Sequence, residues 1–116
     1  MSCNAEVLAP IYTGNDNRVS LILFGNGRVL TSLASITQVI IEIAGLTFDS
    51  TVVGQTVIWW FESVEYRGEE IDVLRLKLGN LGIPAGTYED VEITIFDAIY
   101  TNGLKIENNI IFTVLD

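Results

Sequence analysis

The sequence predicts an all-β protein built as an antiparallel sandwich of about seven or eight short strands. Two observations carry this. β-branched and aromatic residues dominate the apolar segments, while Gly, Asn and Asp cluster between them. The apolar residues also alternate with polar ones along those segments, and no stretch keeps a helical period over three turns.

The elements follow in order. Residues 1–17 are weakly patterned and read as an N-terminal arm or edge strand. Within them Glu6 to Tyr12 suits an edge, because Pro10 has no N–H to donate to a ladder. The sandwich domain is expected over 18–116, after the turn Gly14-Asn15-Asp16-Asn17. Arg18 to Phe24 is a strand with Val19, Leu21 and Leu23 on one face. Asn26-Gly27 then suits a tight hairpin, since both residues accept positive φ, and Arg28 to Leu33 should pair back. Thr37 to Ala44 sets Val39, Ile41 and Ile43 against Gln38, Ile40 and Glu42. Gly45 breaks this strand, with Leu46 to Phe48 as its continuation.

Val57 to Tyr66 is the next strand, and Arg67-Gly68 turns it into Ile71 to Leu78. There Leu74, Leu76 and Leu78 alternate with Arg75 and Lys77. Gly79 to Gly86 is a loop. Tyr88 to Ala98 places Val91, Ile93 and Ile95 opposite Glu92 and Thr94. Thr101-Asn102-Gly103 is a hairpin loop, and Asn109 to Leu115 closes the chain with Ile110, Phe112 and Val114 on one face. Strands at hairpin spacing, without intervening helices, fit a sandwich or a barrel.

The segment Leu81-Gly82-Ile83-Pro84-Ala85-Gly86-Thr87-Tyr88 narrows the choice. In immunoglobulin-like sandwiches a tyrosine near the start of the penultimate strand anchors a corner through its hydroxyl. Tyr88 follows a Pro-x-Gly turn and precedes an alternating strand, so the expectation is an immunoglobulin-like fold with Tyr88 as its structural corner.

A chain of 116 residues suits one domain, since two halves would each bury too little core. Hydrophobic residues make up 49% of it, which excludes a disordered tail and is high for a small monomer. Some apolar surface is therefore expected outside, as at a protein interface. The formal net charge is −9, from six basic and fifteen acidic residues. Phosphate would be repelled, so neither nucleic acid nor an anionic membrane is an expected partner. The first residues lack a basic start and an apolar core segment, so synthesis in a cytoplasm is expected. Cys3 is the single cysteine and can form no internal disulfide.

Chemistry is sparse. The chain has no histidine, which removes the usual general base, the serine and cysteine triads and the commonest metal ligand. The nearest glycine cluster, Gly25-Asn26-Gly27, is explained by a hairpin. Glu62, Glu65, Glu69, Glu70 and Asp72 crowd one hairpin, which reads as a solvated acidic rim rather than a glycosidase cleft. Asp97, Asn102 and Asn108 could gather oxygens for calcium, but they lack EF-hand spacing and suit turns. The expectation is a protein that is not an enzyme and uses no cofactor or metal.

Binding surfaces are the better lead. Adjacent strand residues point to opposite faces, so one of Trp59 and Trp60 should enter the core and the other should face outward. The outward ring suits a subunit interface, or alternatively a sugar platform in a carbohydrate-binding or host-adhesion module. Ile22, Phe24, Ile40, Phe96, Ile111 and Leu115 all lie opposite the expected core faces. If their strands are neighbours, these six form an apolar interface too large for a lone monomer.

From about Ser35 to Leu115 the chain resembles the immunoglobulin-like modules of tailed-bacteriophage structural proteins. The likeness rests on Ile36-Thr37-Gln38-Val39, Phe48-Asp49-Ser50, Leu76-Lys77-Leu78-Gly79, Ile83 to Tyr88, and Phe96-Asp97-Ala98 followed by Asn102-Gly103. It implies a virion structural protein: a capsid decoration or cement protein, or a tail, neck or fibre adaptor. Such a protein would bind other virion proteins through an apolar sheet face, as a homo-oligomer or symmetric multi-copy assembly. Its acidity favours the particle exterior over the DNA-facing side. The resemblance implies no catalytic residue.

Overall fold

The structure is a computed structural model that describes residues 3–7, 10–14, 19–25, 28–29, 36–51, 58–79, 81–98, 100–107 and 110–116. These contain strands β1 (Cys3–Val7), β2 (Ile11–Tyr12), β3 (Val19–Gly25), β4 (Arg28–Val29), β5 (Ile36–Ile43), β6 (Leu46–Asp49), β7 (Ile58–Tyr66), β8 (Glu69–Lys77), β9 (Gly86–Asp97), β10 (Leu104–Lys105) and β11 (Ile110–Leu115). No helix occurs among the described residues.

The strands form two sheets. The first has the order β1-β3-β8-β7, with β4 also on β3, and the second β2-β11-β9-β5-β6, with β10 also on β9. This is an immunoglobulin-type arrangement. β1, β3, β8 and β7 take the places of A, B, E and D, and β11, β9, β5 and β6 those of G, F, C and C′.

The N-terminal segment contributes to both sheets. β1 pairs antiparallel with β3, β2 pairs parallel with β11, and Pro10 lies between them. Ala5 and Ile11 are both core residues, so this segment is part of the sandwich.

The core forms where the inner faces meet. Val19, Leu21 and Leu23 of β3 and Leu74 and Leu76 of β8 come from one sheet. Val39, Ile41 and Ile43 of β5, Val91, Ile93 and Ile95 of β9, and Ile110, Phe112 and Val114 of β11 come from the other. These are the faces that period-two alternation predicts. Large branched side chains interdigitate here, and no disulfide crosslinks them.

Two hairpins close on turns whose central residues both have positive φ. Ala44 (55°) and Gly45 (75°) join β5 to β6, and Arg67 (51°) and Gly68 (79°) join β7 to β8. That geometry matches the right-handed twist of paired strands. Leu46–Asp49 therefore returns antiparallel beside β5 and does not continue it. The turn expected at Asn26-Gly27 lies outside the described residues.

Tyr88 forms the expected corner, its hydroxyl donating to the Pro84 carbonyl at 2.6 Å. It pairs with Phe112, and Val91 pairs with Ile110. Three steps on β9 thus match two on β11, leaving an extra residue at Glu89-Asp90. The bulge turns both Tyr88 and Val91 toward the core. Tyr88→Phe keeps the ring and loses the bond, so denaturant unfolding should show a cost of about 0.5–1.5 kcal/mol.

Candidate interaction surface

The six off-face apolar residues do not share a surface. Ile22 and Phe24 lie on the outer face of the first sheet, and Ile40, Phe96, Ile111 and Leu115 on the outer face of the second. A single apolar interface made of all six is excluded, because the two faces are on opposite sides of the sandwich.

Ile22 belongs to no exposed surface. It is 1% exposed and packs with Ile71 and Val73 of β8 in a second cluster, against which Phe24, Val64 and Tyr66 lean. Sequence alternation places Ile22 outside the main core but is blind to Ile71 and Val73 arriving from the neighbouring strand. Beside this cluster Arg75 spans three strands. Its Nη1 donates to the Ser20 hydroxyl at 3.3 Å, and its Nε lies 3.2 Å from a Glu62 carboxylate oxygen.

Phe96 is partly covered by its own loop. A Cβ on Gly103 would come within 2.6 Å of Thr94 Cγ2 and 2.9 Å of Phe96 Cε2. The chain thus returns from β9 directly over these two side chains. Asp97 fixes that return by accepting the Tyr100 N–H at 2.6 Å, and Tyr100 O accepts the Gly103 N–H. Asp97 is therefore engaged in a turn. Among the described residues no three acidic or thiol groups converge as metal ligands, and Asn108 lies outside them.

Ile40 is half-buried between polar neighbours. Its cross-strand partners are Thr94 and Asp49. Asp49 Oδ1 accepts from Gln38 Nε2 at 2.9 Å and from the Thr51 N–H and hydroxyl at 2.9 and 2.7 Å. Those bonds, the Thr51 N–H first, hold the Asp49 carboxyl below its ordinary pKa.

Ile111 and Leu115 remain as a true apolar surface. Ile111 is 49% exposed and Leu115 40%. Tyr12, which sequence reasoning missed, pairs with Leu115 and is exposed beside it. The missing signal was the parallel pairing of β2 with β11, which short-range pattern does not reveal. Trp59 and Trp60 pair through their backbones with Leu76 and Arg75, while their side chains lie outside the described residues.

Between the Ile40–Phe96 end and the Leu115 end the face is acidic. Glu42 and Glu92 oppose each other directly across β5 and β9. Lys105 Nζ lies 3.1 Å from Glu92, and its hydrogen bond, then its charge, then a hydrogen bond with Glu42, hold the Glu92 carboxyl below its ordinary pKa. A general acid needs the opposite shift. Shallow depressions beside β9 carry Glu42, Glu89, Asp90, Glu92 and Glu107 in their lining, together with Lys105 and apolar residues such as Ile43 and Ile106.

The acidic rim forms on the β7–β8 hairpin. Ser63 Oγ donates to Asp72 at 3.0 Å, and the Arg67 guanidinium stacks 5.0 Å from the Tyr66 ring centroid. Glu65 and Glu70 oppose each other directly, and both are exposed. Phe61, on the same strand, is 38% exposed.

The strand order and the tyrosine corner make the chain an immunoglobulin-like β-sandwich; compared with known proteins, it matches no family model, no curated protein and no solved structure.

Proposed function

We propose that this chain is a non-enzymatic structural protein of a tailed-bacteriophage particle. It is made in the host cytoplasm and carried on the particle exterior as a capsid decoration protein or a tail, neck or fibre adaptor. The observation that carries this reading is the Tyr88 corner, because it sits inside Ile83 to Tyr88, one of the segments on which the likeness to phage modules rests. An immunoglobulin-type sandwich is a rigid platform whose loops, faces and edges are free to bind.

The route to partners is narrower than a whole apolar sheet face. Tyr12, Ile111 and Leu115 supply an exposed strip along β2 and β11, suited to another virion protein or another copy of the chain. The net charge of −9 supports a place away from packaged DNA.

Co-sedimentation of the purified chain with purified tailed particles tests the proposal, alongside its solution mass by light scattering. Saturable binding, or a discrete oligomer that binds particle proteins, is the expected result. A strict monomer with no affinity for any particle protein overturns it.

A further inference from the structure

β7 is a nine-residue strand at the edge of the first sheet, and no described strand pairs with its outer side. Its inner side is fully used, in register with β8 from Ile58↔Lys77 to Tyr66↔Glu69. In a hairpin closed by a two-residue turn, the flanking pair exchanges both hydrogen bonds, and bonded and non-bonded pairs then alternate. Tyr66, Val64 and Glu62 thus bond to β8. Glu65, Ser63 and Phe61 direct their backbone N–H and C=O groups outward.

The chemistry along this edge is one-sided. Glu62, Glu65, Glu69, Glu70 and Asp72 surround it, against Arg67 at the turn, Arg75, and Lys77 at the far end opposite Ile58. Arg67 stacks on Tyr66, and Arg75 is held by Ser20 and Glu62. Glu65, Glu69 and Glu70 form no ion pair among the described residues. Phe61 adds an exposed ring on the side shared with Ser63 and Glu65.

Edge strands carry charge to prevent unwanted pairing, and charge of one sign also selects a partner. Two copies joined at β7 would bring four glutamates of the two edges together, on chains already carrying −9 each. A strand bearing lysine or arginine meets no such penalty. We infer that the outer edge of β7 is a strand-addition site for an extended basic segment of a partner protein, with alternate cations on the side of Glu65 and Glu70 and the intervening apolar residues on the other side, beside Val64 and Tyr66. This deepens the proposed function and rests on the reading that the chain acts by binding protein.

The test uses the full chain and a synthetic peptide of about ten residues alternating lysine and valine, with a glutamate–valine peptide as control. Amide chemical-shift mapping on the wild-type chain should place the lysine peptide on Phe61 to Tyr66. Binding should be lost in about 0.5 M salt. Ser63→Pro removes an outward N–H, which an edge strand tolerates, together with the hydroxyl that donates to Asp72, and should weaken binding at least about tenfold. Ser63→Ala should bind as wild type does, and Glu65→Lys with Glu70→Lys should weaken binding about as much as the proline.

Equal binding of both peptides, or shifts centred on β2 and β11, overturns the inference. So do β7 shifts that grow with the chain's own concentration without peptide, which make a second copy the occupant. If Ser63→Pro keeps both peptide and particle binding, the edge assignment fails while the particle reading stands. If wild type binds the peptide at β7 but never binds particles, the edge assignment stands and the particle reading fails.

Discussion

The outer faces of the two sheets begin from the same kind of sequence signal and end differently. Each has apolar residues where alternation demands polar ones. On the first sheet Ile22 meets Ile71 and Val73 and disappears into a second cluster, flanked by Phe24, Val64 and Tyr66. On the second sheet Ile40 and Phe96 stand at one end, Ile111 and Leu115 lie on β11, and glutamates and threonines occupy the strands between. An off-face apolar residue is thus ambiguous by itself. Its fate depends on what the neighbouring strand presents at the same level.

The largest expected difference between the faces is energetic. Ile22→Ala should destabilise the chain by about 2–4 kcal/mol, since it empties a closed site. Ile111→Ala should cost far less, about 0.5–1 kcal/mol, because about half of that residue is already exposed. Urea unfolding of the two variants measures both, and equal costs would break the comparison.

Gly103 sharpens the reading of the second face. It has a φ of 92° and no space for a Cβ beside Thr94 and Phe96. Gly103→Ala should cost about 1–3 kcal/mol and shift the Phe96 ring resonances as the loop lifts. An unperturbed ring would mean that the loop does not close on it.

The hairpins provide a smaller test, one in each sheet. Ala44 and Arg67 hold left-handed conformations that asparagine accepts more readily. Ala44→Asn should raise stability by about 0.5–1 kcal/mol, and Arg67→Asn by slightly less, since it also loses the stacking on Tyr66.

The smallest effect concerns pH. Glu92 and Asp49 both have folded pKa values below their ordinary ones. Their contributions are complete above the unfolded pKa and disappear as pH falls through the lower folded value. Lys105→Met should therefore return the Glu92 carboxyl toward the ordinary glutamate range and leave Asp49 unchanged. Carbon-detected NMR titration reads both groups separately.

The inner faces were legible in the sequence because one rule governs them. Val39, Ile41 and Ile43, or Ile110, Phe112 and Val114, alternate without exception and are buried as a set. Tyr88 was legible because its motif is local, with its hydroxyl partner only four residues away. The surface was not, because Ile22 depends on Ile71, and Tyr12 on Leu115, across long separations. That no described strand pairs with the outer side of β7 was hidden for the same reason: nothing within Val57 to Tyr66 says which strands will lie beside it.

The central claim is that this sandwich is a built-in part of a phage particle. Mass spectrometry of purified tailed particles from a culture that encodes the chain, with immunogold labelling of intact particles, tests it most directly. The account predicts peptides of this chain at a fixed ratio to the major particle proteins and label on the particle exterior. Particles free of the chain would contradict it.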